Sequence, residues 1–388
     1  MLQPPRSRWK RAAFRILARV VRLLHGGDRF SEAELAGIRN FLVLQYESPL
    51  GSVVHATPLF EALKRGVPDC YITVAASTIA ATVLRTNPYI DRCVVTPSPF
   101  KDFPGSVRAV RALLDSTPAG ARCVMTTIGN QRTRLAFLSL LSGSAVRAGY
   151  ILAPELYDVP LVFDPQRGQI EGNLDIARSL GHPVPFYEPR VFFSRQDVAK
   201  TEQWLASLKI DPGVPRIVFV TQTSGGQKNQ WSPTRFQQVI SGLSSATGAV
   251  PVFVGTEKDA APIDDLRKHL PDRGISLAGK TTITELAALL AQCDLIVSLD
   301  TGTFHVARSV GLPGVVIAPA WQDSREWLPV DVPSYRVLRG PAIRDIPVDY
   351  CIDEISVEQA CDAAQALLAK YPVDAAQRAS RVDRSSRR

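Results

Sequence analysis

The sequence predicts an α/β protein built from two doubly wound halves, each with a parallel sheet covered by helices. The length of 388 residues suits two domains, because one domain usually takes roughly 100–200 residues. From residue 40 onward, short apolar runs alternate with amphipathic stretches, which is typical of βαβ units. An irregular, proline-rich stretch from Pro154 to Pro189 interrupts this alternation. We therefore expect one domain over residues 37–190 and a second over 191–372, with the ligand in the cleft at the carboxyl ends of the strands.

Ten apolar runs are predicted to be strands, and the amphipathic stretches between them are predicted to be helices. In the first half the predicted strands are FLVLQ (41–45), CYITVA (70–75), RCVVT (92–96), CVMTT (123–127) and VRAGY (146–150), with helices near 53–65, 105–115 and 131–141. In the second half they are RIVFVT (216–221), VPVFVG (250–255), ISLAG (275–279), LIVSLD (295–300) and GVVIAP (314–319), with helices near 233–246, 258–269, 283–292 and 303–310.

The composition is that of a globular protein whose basic charge sits at its two ends. Hydrophobic residues make up 45% and charged residues 21% of the chain, which argues against disorder. The net charge is +8, but residues 1–29 carry +7 and residues 378–388 carry +4, so the body is mildly acidic. This distribution argues against a nucleic-acid-binding face on the body. The six cysteines form no CxxC pair and no metal-binding Cys/His spacing, so reduced core thiols and a cytoplasmic location are predicted.

The two basic ends receive different predictions. Within an N-terminal arm of residues 1–36, residues 7–25 are predicted to form a helix with arginines on one face and Trp9, Ala13, Ile16, Val20 and Leu24 on the other. This pattern is typical of a helix that lies in an anionic membrane surface. The alternative is a helix that packs on the body. Residues 373–388 are predicted to be a disordered basic tail.

Residues 274–281, GISLAGKT, match a phosphate-loop pattern but do not predict a phosphate loop. That loop requires a strand before its first glycine and a helix that starts at its lysine. Here the apolar run ISLA lies inside the motif and is itself predicted to be a strand. An extended strand cannot wrap its N–H groups around a phosphate, so we discount a nucleotidase.

The segment 293–319 carries the clearest functional signal. A buried strand ends at Asp300, and Thr301, Gly302 and Thr303 form a tight turn that opens a helix holding His305. Free N–H groups and the positive dipole end at such a helix start bind phosphates. The alternative is that Asp300 or Thr301 only caps the helix.

Two other strand ends in the second half carry groups suited to a nucleotide. The loop TSGGQKNQWSP (223–233) could bring Lys228 to a phosphate, although a lone lysine is more often a solvated loop charge. Glu257, in the loop after strand 250–255, could accept hydrogen bonds from ribose hydroxyls, or could be a helix-start carboxylate. The convergence of three strand ends predicts a nucleotide site.

In the first half, the loop after strand 41–45 leads into YESPLGSVVHATPLFEALKR (46–65). Its polar candidates for catalysis are Glu47, Ser52 and His55. The alternative for His55 is a structural histidine with its hydrogen bonds satisfied.

The combination of these motifs resembles glycosyltransferase family 9, the ADP-heptose:lipopolysaccharide heptosyltransferases. The resemblance covers about residues 40–370, in LGSVVHATPLFEALKR (50–65), LAGKTTITELAALLAQCDLIVSLDTGTFHVA (277–307) and CIDEISVEQA (351–360). It implies a two-domain GT-B fold and sugar transfer with inversion that needs no metal. It also implies that Thr301, Gly302 and His305 hold the donor diphosphate, that Asp300 shapes the turn, that Glu257 binds the ribose, and that a lysine before Trp231 binds a phosphate.

The chain departs from the family pattern at two places. The family lysine lies two residues before the tryptophan, whereas Lys228 lies three before Trp231. The family also has Gly-Asp where this chain has Gly51-Ser52, and that aspartate is the family's candidate general base. A serine hydroxyl cannot act as a base unaided. Glu47 or His55 could replace it, or transfer activity could be lost while sugar-nucleotide binding is kept.

These observations predict an inverting glycosyltransferase at the cytoplasmic membrane face. We expect an ADP-heptose-like donor and a lipopolysaccharide-core or other glycolipid acceptor. The alternative from another class is a catalytically silent sugar-nucleotide-binding partner of envelope-glycan enzymes. A third hypothesis is a sugar-nucleotide epimerase, which would turn over the donor without an acceptor.

Overall fold

A computed structural model describes residues 16, 20, 30–46, 49–150, 156–207, 211, 213–223 and 228–387. The chain divides into two compact units, residues 1–188 and residues 189–388. We call them unit 1 and unit 2.

Unit 1 contains a six-stranded sheet in which every pairing is parallel and the strand order is β3-β2-β1-β4-β5-β6. Its strands are β1 (Asn40–Gln45), β2 (Tyr71–Ala76), β3 (Arg92–Val95), β4 (Arg122–Thr126), β5 (Val146–Tyr150) and β6 (Val159–Leu161). Its helices are α1 (Glu32–Ala36), α2 (Leu50–Gly66), α3 (Thr78–Leu84), α4 (Phe103–Asp115), α5 (Thr133–Leu141) and α6 (Gly168–Ser179). The strand order reverses between β1 and β4, so this is the point where open α/β sheets bind ligands.

Unit 2 repeats this topology, with a parallel sheet in the order β10-β9-β8-β11-β12-β13. Its strands are β7 (Phe193–Ser194), β8 (Arg216–Val220), β9 (Val250–Phe253), β10 (Ile275–Ser276), β11 (Leu295–Leu299), β12 (Gly314–Ala318), β13 (Tyr335–Arg339) and β14 (Ser386–Arg387). Its helices are α7 (Arg195–Ser207), α8 (Pro233–Thr247), α9 (Ala260–Lys268), α10 (Ile283–Ala291), α11 (Gly302–Ser309), α12 (Val357–Lys370) and α13 (Ala375–Ser385). The predicted fold class of two doubly wound α/β domains is confirmed.

The central strands are near-continuous apolar runs because helices cover both faces of each sheet. Every residue of β1, β11 and β12 is buried. All ten predicted strands are present within three residues of their predicted bounds. The edge strands β6 and β13 and the two-residue strands β7 and β14 were not predicted. All six cysteines are free thiols, with Cys70, Cys123 and Cys293 buried.

The proline-rich stretch before unit 2 is more regular than predicted. Residues 168–179 form helix α6, which buries Ile170, Leu174 and Ile176 and packs against α2. Two glycines and several polar residues weaken the helical pattern of this segment, so tertiary packing and not local propensity stabilises it.

The prediction of a disordered tail over residues 373–388 is wrong. Residues 375–385 form helix α13, and Ser386–Arg387 pair in parallel with β7. The guanidinium of Arg378 donates to both oxygens of Asp294, over 2.8 Å and 2.6 Å, and Arg381 donates to the carbonyls of Ala291 and Cys293. Both arginines are buried. Partners far away in the sequence thus order a segment whose composition is typical of disorder.

Most of the predicted N-terminal helix, residues 7–25, lies outside the described residues. Ile16 and Val20 are described, and both are helical and exposed, at 64% and 45%. In the part of the chain that the structure describes, we find no helix with the length and apolar character needed to span a bilayer.

Candidate functional site

The turn after β11 opens helix α11 without the capping bond that its sequence allows. Thr301 takes the N-cap position with extended backbone angles, but its side chain makes no cap hydrogen bond. Its hydroxyl is buried and has no hydrogen-bond partner among the described residues. Helix capping therefore does not account for the Thr301 side chain, and the first N–H groups of α11 remain free of it.

His305 is held in the first turn of α11 by its surroundings. Its Nε2 lies 3.6 Å from Oδ1 of Asp300, which is longer than a hydrogen bond but close enough for a favourable charge interaction when the imidazole is protonated. Its ring packs against the indole of Trp327, with centroids 6.0 Å apart. The structure thus brings together two of the predicted donor-site residues, Asp300 and His305.

Unpartnered hydroxyl groups gather at the carboxyl ends of two neighbouring strands. Thr221 and Thr223 follow β8, Thr301 follows β11, and the two strands pair through Val220 and Ser298. None of the three hydroxyls has a hydrogen-bond partner among the described residues, although all three oxygens are buried. An unsatisfied buried hydroxyl costs about 1–3 kcal/mol. This edge of the sheet therefore presents hydrogen-bond donors that an oxygen-rich ligand would satisfy.

The loop after β8 is tied to the turn after β11. The side-chain amide of Asn229 donates to the carbonyl of Asp300 over 2.8 Å. Lys228 is anchored from outside the sheet, because its carbonyl accepts from the Trp321 indole over 2.5 Å and its ammonium donates to the carbonyl of Pro347. Lys228 is thus next in sequence to Asn229, which contacts the turn after β11, while the ammonium of Lys228 is satisfied by the carbonyl of Pro347.

The motif CIDEI fixes the other end of this loop. The amide of Ile352 donates to the carbonyl of Gln230 over 2.8 Å, and the indole of Trp231 donates to the carbonyl of Ile355 over 3.2 Å. The guanidinium of Arg235 donates to the carbonyls of Asp353 and Ile355. Two motifs more than a hundred residues apart therefore form one structural support beneath the loop.

Glu257 begins an exposed 3₁₀ turn, Glu257–Asp259, after β9. Gly279 approaches it closely, because a β-carbon at position 279 would lie 2.8 Å from the Cα of Glu257. Gly279 also has a φ of +71°, so two independent constraints require glycine here. In the described part of the chain no hydrogen bond joins Glu257 to the turn at 300–303, and its carboxylate remains exposed.

The phosphate-loop pattern at 274–281 has the structure that the sequence predicts. Ile275–Ser276 form β10 inside the motif, and helix α10 starts only at Ile283. Lys280 turns back to donate to the carbonyl of Ser276 over 3.1 Å. The segment lacks the geometry of a phosphate loop.

On unit 1, the predicted catalytic residues have different environments. Glu47 lies outside the described residues. Ser52 is buried in the first turn of α2, and no acidic residue lies in that turn. His55 is 1% exposed, and its carbonyl accepts a hydrogen bond from Asn173 over 3.0 Å.

The site on unit 2 offers N–H and O–H donors to a ligand. These are the groups that bind a diphosphate at a helix N-terminus. Among the residues that the structure describes, no group of three His, Cys, Asp or Glu side chains is arranged to hold a metal ion. Thr221, Thr223 and Asn229 were not predicted as site residues, although the run TQT (221–223) begins at the last residue of a predicted strand.

Comparisons with known proteins indicate a family that this chain resembles. The model of glycosyltransferase family 9 (heptosyltransferase) matches residues 136–318. Lipooligosaccharide heptosyltransferase 2 of Haemophilus influenzae is 29% identical over 107 residues, which span 26% of this chain and 31% of that relative's length. The heptosyltransferase of the same name from Haemophilus ducreyi is 22% identical over 284 residues, or 69% of this chain and 80% of the relative.

Two solved structures share the fold. A glycosyl transferase family 9 protein from Veillonella parvula DSM 2008 aligns with a TM-score of 0.76 at 19% identity, covering 86% of this chain and 99% of that chain. The E. coli ADP-heptose lps heptosyltransferase II aligns with a TM-score of 0.67 at 18% identity, covering 85% and 98%. The two Rossmann-like units therefore have the GT-B fold of these two proteins. The predicted resemblance to glycosyltransferase family 9 is confirmed by the family model and by the curated relatives.

Proposed function

We propose that this protein is a glycosyltransferase that transfers a heptose, with inversion, from ADP-heptose to a lipopolysaccharide-core or related envelope glycolipid. The cluster of unpartnered threonine hydroxyls at the carboxyl ends of β8 and β11 carries the proposal, because a donor diphosphate would satisfy them. The relatives support the choice of sugar, since their names describe heptosyltransferases and one solved relative is named for ADP-heptose.

In this mechanism a hydroxyl of the acceptor attacks the anomeric carbon of the donor sugar. The new carbon–oxygen bond forms as the bond to the diphosphate oxygen breaks, and the electron pair leaves with ADP. The N–H groups that open α11, the hydroxyls of Thr301 and Thr303, and the imidazole of His305 stabilise the charge that develops on ADP. The carboxylate of Glu47, which lies between β1 and α2 in the sequence, is the proposed general base that accepts the proton of the acceptor hydroxyl.

Calorimetric titration with ADP-heptose tests the donor site. We expect His305→Ala to weaken binding about tenfold, the equivalent of one good hydrogen bond to a charged group. His269, at the exposed end of α9, is a matched control, and His269→Ala should bind like the unchanged protein. The same samples are then assayed for ADP release with and without a lipopolysaccharide-core acceptor. Binding with acceptor-dependent release supports the transferase, and equal affinity in both variants contradicts the assigned donor site.

Ser52 favours a second candidate, a catalytically silent sugar-nucleotide-binding protein. The first turn of α2, where the family carries its candidate base, has no carboxylate. A protein of this kind would bind ADP-heptose as above but release no ADP with any acceptor tested. Restoration of release by Ser52→Asp would show that only the base had been lost.

We further propose that the enzyme works at the inner face of the cytoplasmic membrane, bound through residues 7–25. The exposure of Ile16 and Val20, one helical turn apart, supports a helix face that is available to lipid and not covered by the body. The arginines of the same segment would be attracted to anionic headgroups.

Sedimentation with vesicles tests the membrane proposal. The full chain should sediment with anionic vesicles at low salt, and much less so with neutral vesicles or at high salt. Deletion of residues 1–29 should abolish sedimentation while leaving calorimetric ADP-heptose binding intact. If the shortened protein sediments as before, residues 7–25 are not the membrane anchor.

A further inference from the structure

We infer that two buried asparagines, Asn130 and Asn173, are positioning residues that bracket the loop between β1 and α2. This loop, residues 46–49, contains Glu47 and leads to Ser52 in the first turn of α2, so the inference deepens the proposed function and rests on it. The bracket is built from the segment Thr127–Asn130, which follows β4 and forms a single 3₁₀ turn at Ile128–Asn130.

Asn130 holds the loop where it leaves β1. Its side-chain oxygen accepts the backbone N–H of Tyr46 over 2.9 Å, and the residue is fully buried. Its amide nitrogen donates to the hydroxyl of Thr127 over 3.0 Å, and that hydroxyl donates to the side-chain oxygen of Gln45 over 2.6 Å. This chain of donors orients the Asn130 amide so that its oxygen faces Tyr46. The phenol of Tyr46 is anchored as well, 2.7 Å from the hydroxyl of Thr96.

Asn173 holds the loop on its other side, through helix α2. Its side-chain nitrogen donates to the carbonyl of His55 over 3.0 Å, and its side-chain oxygen accepts the N–H of Ile128 over 3.1 Å. The neighbouring Gly172 permits this approach, since a β-carbon there would lie 2.1 Å from Cδ1 of Ile128. The segment 127–130 therefore contacts β1 through one asparagine and α2 through the other.

The position of the bracket in the sheet connects it to function. β1 and β4 are adjacent in the order β3-β2-β1-β4-β5-β6, and the order reverses between them. Ligands of open α/β sheets bind at the carboxyl ends of the strands at this reversal. Apolar contacts would be enough to pack the core at this position. Instead, the side chains of Gln45, Thr127 and Asn130 form a hydrogen-bonded chain, and the last of them accepts the backbone N–H of Tyr46. Buried networks that are fully satisfied rigidify the backbone they contact, and here that backbone leads directly to Glu47.

The test compares Asn130→Ala with two threonine variants of unit 1. Thr127→Val removes the hydroxyl that orients Asn130 and is the second variant if Asn130→Ala fails to fold. Thr73→Val is the matched control, because Thr73 is buried on β2 and its hydroxyl has no hydrogen-bond partner in the described part of the chain. Three quantities are measured: kcat for heptose transfer at saturating donor, the Kd for ADP-heptose, and hydrogen exchange at the Tyr46 amide.

We expect both bracket variants to lower kcat at least about tenfold, because misplacing a catalytic group by about 1 Å can cost 10²-fold. The Kd should change less than about twofold, since the donor groups lie on unit 2, and the Tyr46 amide should exchange faster. Thr73→Val should change none of the three. An unchanged kcat in folded Thr127→Val, or an equal loss in Thr73→Val, would overturn the inference. If the unchanged protein transfers no heptose, the proposed function fails, and only hydrogen exchange at the Tyr46 amide still tests the inference. In that case, a folded Asn130→Ala or Thr127→Val variant whose Tyr46 amide exchanges as slowly as in the unchanged protein would overturn it.

Discussion

Replacing Glu47 with glutamine is expected to lower kcat for heptose transfer by about 10²–10⁴-fold, the contribution typical of a general base. Glu47 is the only carboxylate in the sequence between the end of β1 and Glu61, and Glu61 is buried and paired with Arg65. Glutamine keeps the size of the side chain but cannot accept the proton. The measurement is ADP release at saturating donor and acceptor, with calorimetry to show that the Kd for ADP-heptose is unchanged.

An aspartate at position 52, where the family carries its candidate base, is expected to restore part of the activity of this variant. Ser52→Asp in the Glu47→Gln background places a carboxylate in the first turn of α2, where the positive end of the helix dipole keeps it ionised. We expect the double variant to recover part of the lost kcat. If Glu47→Gln transfers heptose as fast as the unchanged protein, Glu47 is not the base.

Replacing Arg378 with methionine is expected to destabilise unit 2 by about 3–5 kcal/mol, because it leaves the buried carboxylate of Asp294 without its cation. In a unit of this size, such a loss lowers Tm by about 10 °C. Arg378 is bidentate on Asp294, and the only other bond to that carboxylate among the described residues comes from the N–H of Arg216 over 2.8 Å. Thermal unfolding followed by circular dichroism measures the effect.

An exposed ion pair in the same unit is the matched control. Arg325 and Asp331 are 3.2 Å apart with side chains 53% and 78% exposed, so Arg325→Met should change stability by less than about 1 kcal/mol. The double variant Asp294→Asn with Arg378→Met should recover most of the loss, because the charge that needs a partner is then gone. Equal Tm values for Arg378→Met and Arg325→Met would show that the buried pair contributes no more than a surface one.

The sequence predicted those parts of the fold whose signal is local. β1 and β11 are uninterrupted apolar runs bounded by turns, and such runs predict buried parallel strands. β13 escaped prediction because two arginines interrupt the apolar residues of its short sequence, YRVLR, at the edge of the sheet. Helix α13 escaped because the partner of Arg378 is Asp294, 84 positions earlier, and no local pattern records that pairing.

The candidate site divides in the same way. Asp300, Thr301 and His305 were predictable, because a strand, a turn and a helix follow one another within a dozen residues. Asn229 and Asn130 were not, because each acts on a backbone group 71 or 84 positions away in the sequence. An asparagine in a loop sequence is ordinarily taken as a turn residue. Only the fold reveals that these two hold other segments in place.

The position of Asp294 connects helix α13 to the strand that leads to the proposed donor site. Asp294 immediately precedes β11, and β11 leads to the turn at Asp300. Arg378 and Arg381 hydrogen-bond to residues just before that strand. A protease that removes helix α13 therefore removes the hydrogen bonds that hold the start of β11 in place. Such a clipped sample retains every residue that we assign to the donor. We nevertheless expect it to bind ADP-heptose poorly. A mass spectrum of the sample would identify the cause, because it would show that helix α13 had been removed.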